Sequence, residues 1–451
     1  MFSKLNAHKP FLLVLSVFFI ITSWPFINFP LTDGDIGHWV DWANKIALHN
    51  SFLSAESDQA HGPMLAWGSA LFIKLFSLSY YSLNLFNLLC GMGLVCLMYI
   101  SVQYLGKSKE TALLSSVFAT TNIVFVYLSR TPMYEMAATL GFFLFCISYY
   151  VYLEKKDKSL VAGMALGIFI GCMSRLIIVF GLIGCFIAII QWIRKKSIAS
   201  WIWACAYQGT LILGFSLLLY SPWLLVQHQQ FPQYFLDEFI YDNLLRFLGD
   251  EKGSHYDFYG FPLSAIVGLL PFTPFILAGL SKQYLGKLKS EPLTQFLLAT
   301  AVPCLVIFSL SGHTKLLRYI TYIFPGFICL SAVLYTRFHT DSDYIKRCKT
   351  FFVAFIALIT TLLAIYAIQF IQEAQDSVLF TASLIILMEG LIISAFYFLI
   401  LKKEQFLKNH WPFLTLCAIL YISFFSALSI EYKNAKFLIK VDKYIQHELN
   451  K

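Results

Sequence analysis

Apolar stretches of about twenty residues recur along most of this chain, separated by short polar turns that are alternately basic and acidic. A helix of that length covers roughly 30 Å, the thickness of a bilayer's hydrocarbon core. No soluble architecture can bury so many such runs. Charged residues make up 13% of the sequence, about half the usual soluble share, and 58% are hydrophobic. Mean hydropathy is +0.69. The expectation is an all-α polytopic membrane protein with no separate soluble domain.

Hydropathy and loop charge place about thirteen spans, near residues 11–29, 82–104, 111–129, 132–152, 159–174, 176–193, 201–224, 262–280, 293–310, 317–336, 351–371, 379–401 and 411–430. The first run follows Lys4 and Lys9 and lacks a small-residue cleavage site, so it reads as a retained helix. Every second loop is basic: Lys107 with Lys109, Lys155 to Lys158, Arg194 to Lys196, Lys282 to Lys289, Lys346 to Lys349, and Lys402 to Lys408. The positive-inside rule assigns these loops to the cytoplasm. They also account for the net charge of +8 without any nucleic-acid partner.

That orientation puts outside the membrane the block 31–63, the turn at Ser129 to Pro132, the loop 226–260, the segment 312–318 and a tail at 431–451. The transmembrane body is then residues 1–430. Of ten cysteines, nine lie in apolar runs and Cys348 in a basic loop, so no disulfide framework is expected.

The block 31–63 carries Asp33, Asp35, Asp41, Glu56 and Asp58 together with His38, His49 and His61. Within it Ile36, Trp39, Val40, Ala43, Ile46 and Ala47 share one helical face, opposite Asp41, Lys45, His38 and His49. This predicts a helix lying at the membrane surface, and residues 64–76 are expected to lie likewise. Thr32 and Asp35 have capping-box spacing, which is one role for the acids. The other is a general base that takes a proton from an incoming hydroxyl.

Glu135 falls about one turn inside the fourth span, a costly place for a carboxylate without a polar cavity or a partner. Arg130, at the mouth of the same helix, is one candidate partner. Arg175 divides two short apolar runs at the outer face, and Lys315 and Arg318 open the tenth span from that side. Singly each can snorkel to water, but together they suit an anionic headgroup. Asp58 and His61 are weak candidates for a divalent cation, since no tight ligand spacing such as HxH is present. Glu389 sits in the twelfth span without an evident role.

The order of these motifs resembles the membrane C-type glycosyltransferases that take sugars from polyprenyl phosphates. The branch it is most similar to contains the bacterial aminoarabinose transferases of lipid A and the protein O-mannosyltransferases. DIGHWVDWA from Asp35 resembles that branch's first-loop acidic motif, and DQAHGPMLAW from Asp58 its Asp-His-Pro-Pro-Leu element. SRTPMYEM from Ser129 resembles a Ser-Arg turn ending in Asp-Met. HYDFYGFP from His255, running on to Pro271, is similar to an aromatic loop and Leu-Leu-Pro-Trp helix. KLLRY from Lys315 resembles Lys-Leu-Pro-Arg-Tyr. Ile36 departs from the family's Asp-Glu pair, and no counterpart of the family's larger external C-terminal domain is expected.

The resemblance implies a C-type bundle that transfers a monosaccharide from a polyprenyl-phosphate donor to an envelope lipid, glycan or protein, with inversion. It implies Asp35 as general base with Asp33 in reserve, and Glu135 as a second acid at the acceptor. Arg318, Lys315, Arg175 and Arg130 would meet the donor phosphate, while His61, His255, Tyr256 and Tyr259 would line the substrate. No tightly bound cofactor is implied. The expected setting is a bacterial inner membrane with the site facing the periplasm. Two rivals are a polysaccharide or O-antigen ligase, which favours more arginines, and a transporter or flippase, which favours internal repeats and midplane charges.

Overall fold

The structure, a computed structural model, describes residues 9–23, 36–52, 61–194, 197–232, 259–288, 290–311, 317–355 and 357. All regular structure among them is helical. In chain order the helices are α1 Lys9–Ser23, α2 Ile36–His49, α3 Met64–Phe76, α4 Tyr80–Gly106, α5 Lys109–Thr121, α6 Ile123–Arg130 and α7 Tyr134–Lys155. There follow α8 Ser159–Arg194, α9 Ile198–Gln230, α10 Gly260–Gly268, α11 Thr273–Gly279, α12 Lys282–Leu288 and α13 Pro292–Leu310. A 3₁₀ segment, Leu317–Ile323, leads into α14, Phe324–Phe338.

Among the described residues, six helices are long and apolar enough to cross a membrane, or up to eight if each of two bent pairs counts as one span. The chain is an integral membrane protein. The last three expected spans fall almost wholly outside the described residues, so the expected number of about thirteen does not follow from them. Two expected spans are broken. Residues 109–130 form α5 and α6, which meet at Asn122, and residues 260–279 form α10 and α11, bent by 114°. Asn122 ties the two breaks together. Its Oδ1 caps α6 by accepting from Phe125 N at 2.8 Å, and its Nδ2 donates to Gly268 O at 2.9 Å and Leu270 O at 3.0 Å.

Helix α8 is two helical arms joined at a break at Arg175, not one straight rod. Gly163 packs on Ser148 of α7, and Gln191, twenty-eight residues later, donates to the neighbouring Tyr149 hydroxyl at 2.7 Å. A straight helix would part those residues by roughly 42 Å. The chain instead reverses at Arg175, whose φ and ψ of −145° and 80° leave the helical region. Both arms then lie along α7, as the two expected spans 159–174 and 176–193 require. Small residues permit the closeness: a Cβ on Gly141 would stand 2.3 Å from Gly171 N, and one on Gly167 2.6 Å from Phe145 N.

One end of the bundle collects the basic turns. There Arg194 reaches Glu154 at 3.8 Å, Arg337 reaches Glu291 at 2.9 Å, and Lys155 lies over the Tyr104 ring. The hairpin tip at Arg175, the start of α7 and the 3₁₀ segment meet at the opposite end.

The amphipathic helix near the start packs against its neighbours. Val40 and Ala43 are buried against Ile73, Leu78 and Leu83, while Trp42 and Ile46 enter the main core. Val40 and Ala43 of α2 therefore pack on protein, from α3 and α4. Trp42, outside the face read from the sequence, is fully buried. The polar face is as expected, with Asp41 and Lys45 paired at 2.7 Å and both exposed.

Candidate active site

Glu135 is the second residue of α7, where the helix dipole favours a carboxylate. The turn before it is clamped by Asn87 of α4, whose Nδ2 donates to Met133 O at 2.9 Å and also to Thr131 O. Glu135 is 1% exposed. Its Oε1 accepts from Arg175 Nη2 at 2.7 Å and lies 3.4 Å from Arg318 Nε, an ion pair without hydrogen-bond alignment. Two guanidiniums thus share one carboxylate. The trio has a net positive charge in a largely buried place where only Arg318 is partly open to water.

Aromatic rings enclose the cations. The Arg175 guanidinium lies 5.4 Å from the Tyr134 ring and 5.8 Å from the Tyr319 ring, and that of Arg318 lies 6.0 Å from Tyr319. His61 meets the edge of Tyr134 at 4.9 Å. Gly62 follows, so close to the hairpin tip that a Cβ would stand 2.0 Å from Met173 O. The 3₁₀ segment is held by Phe308 of α13, stacked on Tyr319 at 5.2 Å and on Tyr322 at 5.4 Å. Phe308 also touches Phe261 of α10 at 5.3 Å, which brings the exposed Tyr259 to the same end.

Of the residues singled out in the sequence, the structure gathers Glu135, Arg175, Arg318 and His61 at one place. The partners it gives Glu135 are Arg175 and Arg318, where the sequence offered Arg130. Arg130 ends α6 and is buried on the other side of the turn from Glu135. Asp33, Asp35, Asp58, His255, Tyr256, Lys315 and Glu389 lie outside the described residues. Among the described residues no three His, Cys, Asp or Glu side chains are grouped to hold a metal. The sequence reading passed over Tyr134, Tyr319 and Tyr322. Their signal was adjacency, since Tyr134 precedes Glu135, Tyr319 follows Arg318, and Tyr322 lies one 3₁₀ turn further on.

This architecture is the C-type membrane glycosyltransferase fold. It matches the crystal structures of ArnT from Cupriavidus metallidurans, one bound to undecaprenyl phosphate and one in the apo state, each with a TM-score of 0.70. The match covers 94% of this chain and 77% of each of those at 11% and 12% identity, so the likeness is one of fold. Within that class, residues 61–233 match the family model of the dolichyl-phosphate-mannose-protein mannosyltransferases. The resemblance read from the motifs is thus met again in a matched segment and in the fold.

Two uncharacterized proteins of Aquifex aeolicus (strain VF5) are also similar. One is 25% identical over 215 residues, 47% of this chain and 41% of that protein. The other is 27% identical over 289 residues, 63% of this chain and 61% of that protein. The chain therefore spans roughly two fifths and three fifths of these relatives.

Proposed function

We propose that this protein is a glycosyltransferase that moves a monosaccharide from a polyprenyl-phosphate donor to an envelope lipid, glycan or protein. The observation that carries the reading is the buried Glu135–Arg175–Arg318 cluster in a fold shared with an undecaprenyl-phosphate-binding ArnT. Charge is the argument. When the bond from the anomeric carbon to the phosphate oxygen breaks, the electron pair leaves with the phosphate. Guanidiniums already fixed by Glu135 and by tyrosine rings stabilise that charge without reorganising. Arg175 and Arg318 fill this role, with Arg130 and Lys315 as further cations.

The acceptor hydroxyl attacks from the face opposite the departing phosphate, so configuration inverts. Its proton goes to a carboxylate. Asp35 is the base in this reading and Asp33 the alternative. Support comes from connectivity: α2 begins at Ile36, α3 packs on α2, and α3 also touches α7 and α8. His61, three residues after Asp58, lies against Tyr134 beside Glu135. In this reading Glu135 holds the acceptor, and His61, His255, Tyr256 and Tyr259 are the residues that contact substrate. No resident cofactor is needed, and Asp58 with His61 is where a divalent cation would bind. The basic end faces the cytoplasm and the site faces the periplasm of a bacterial inner membrane.

The test is Asp35→Asn and Asp33→Asn, made separately and assayed for sugar transfer in purified membranes. Loss of the base should lower turnover by about 10²- to 10⁴-fold in one of them. Full activity in both at normal expression removes the carboxylate base. Mass spectrometry of envelope glycolipids and glycoproteins, with and without the gene, identifies the sugar and the acceptor.

A further inference from the structure

The place of Glu135 depends on where α7 begins, and α7 does little to fix its own start. Its N-cap residue is Met133, which supplies no side-chain cap. Thr131 and Met133, on either side of Pro132, are extended and buried, and Pro132 has no N–H to anchor the link. The carbonyls of Thr131 and Met133 instead share one donor, Nδ2 of Asn87 on α4, at 2.9 Å from Met133 O. Asn87 is fully buried. Two carbonyl partners settle which way its amide points, because only the NH2 group donates. Asn87 Oδ1 is then left buried without a hydrogen-bond partner among the described residues. One turn along α4, Gly91 lets that helix lie flush on the end of α6: a Cβ there would stand 2.5 Å from Ser129 Oγ.

Asparagine is a poor choice for the interior of a spanning helix, since it forms helix weakly and its unmet acceptor is penalised by burial. What Asn87 secures is the height of the first turn of α7. Glu135 lies two residues beyond Met133, about 3 Å along the axis. Its Oε1 accepts from Arg175 Nη2 at 2.7 Å. A slide of α7 by about 1 Å would stretch that contact to roughly 3.7 Å, past hydrogen-bond range. Both partners are closely held, Glu135 by burial and the Arg175 guanidinium by the Tyr134 and Tyr319 rings. Tyr134, next to Glu135, would move in the same slide and carry one of those rings with it.

We propose that Asn87 is the positioning residue of the cluster: by holding the Thr131 and Met133 carbonyls it sets Glu135 on Arg175, and through that pair it fixes the guanidiniums for the departing phosphate. Asn87 touches neither the cations nor substrate in this role and acts through Glu135. The role in the reaction rests on the glycosyltransferase reading, whereas the hold on Glu135 rests on the geometry alone. Catalysis is sensitive to such support, because a misplacement of about 1 Å set up far from the chemistry can cost on the order of 10²-fold in rate.

The test is a thermal-unfolding cycle on the full-length protein in detergent micelles. Glu135→Gln is made in three backgrounds: the unmodified protein, Asn87→Leu and Tyr149→Phe. Tyr149 lies on α7 at the basic end, where its hydroxyl donates to Gln208 and accepts from Gln191, so its loss loosens the same helix away from the cluster. Glu135→Gln should lower the midpoint by on the order of 10 °C in the unmodified protein and with Tyr149→Phe, and by about half that or less with Asn87→Leu. A clamp that merely stabilises the turn leaves the drop equal in all three backgrounds, and a general loosening of α7 shrinks it in both variants. Either result overturns the proposal. Should Asn87→Leu not fold, Asn87→Asp, which keeps the shape with at most one donor, takes its place. Sugar transfer in purified membranes, per folded molecule, is the second readout. Asn87→Leu should lower kcat by about 10- to 100-fold rather than raise KM, and Tyr149→Phe should stay within about twofold. An unchanged kcat in Asn87→Leu overturns the role in the reaction. If the midpoints follow the cycle while unmodified membranes transfer no sugar, the glycosyltransferase reading falls and the hold on Glu135 stands.

Discussion

Replacing Glu135 with Gln keeps the shape of the side chain and removes the charge that two buried guanidiniums share. Arg318 is partly open and can turn toward water, whereas Arg175 at 3% exposure cannot. Most of the cost therefore falls on Arg175. Removing one partner of a buried ion pair typically costs about 3–5 kcal/mol, which lowers the thermal midpoint by on the order of 10 °C. Arg175→Met should cost less, roughly 1–3 kcal/mol, because Glu135 keeps Arg318 at 3.4 Å. The double variant carries no stranded charge from the closer pair, so its loss should fall short of the sum of the singles by about 2 kcal/mol or more. Thermal unfolding in detergent micelles, followed by tryptophan fluorescence, measures all three. Undecaprenyl phosphate should recover part of the Glu135→Gln loss, since a bound anion restores the missing charge. Additive losses with no recovery would refute the view that Glu135 holds the two cations ready for a phosphate.

Two further predictions concern the frame. Asn122→Ala strips the cap from α6 and leaves the Gly268 and Leu270 carbonyls without their donor, so stability should fall by about 2 kcal/mol, read as a lower thermal midpoint. At the basic end, the Asp341 carboxyl is held below its ordinary value, chiefly by the backbone N–H of Tyr344. A lowered folded value stabilises the protein above the unfolded carboxylate range, near pH 4, and that gain is lost as pH falls through the folded value. A midpoint-against-pH curve should therefore drop on its acid side, and Asp341→Asn should flatten the drop.

Among the described residues, the sequence by itself determined the membrane-spanning helices and the sorting of charge to the two ends. A bilayer makes those demands locally: a span must satisfy its own backbone and be apolar, so each run declares itself without reference to its neighbours. Even the reversal at Arg175 was legible, because one arginine divides two short apolar runs. Pairing was not. Glu135 sits five residues from Arg130, yet its partners are Arg175 and Arg318, brought to it by hairpin packing through Gly141, Gly167 and Gly171 and by the 3₁₀ segment. Proximity in sequence cannot predict which of several cations the bundle will seat beside a carboxylate. Likewise the face of α2 reads the same whether it meets lipid or protein, since both are apolar, and only the packing of α3 and α4 showed that Val40 and Ala43 meet protein.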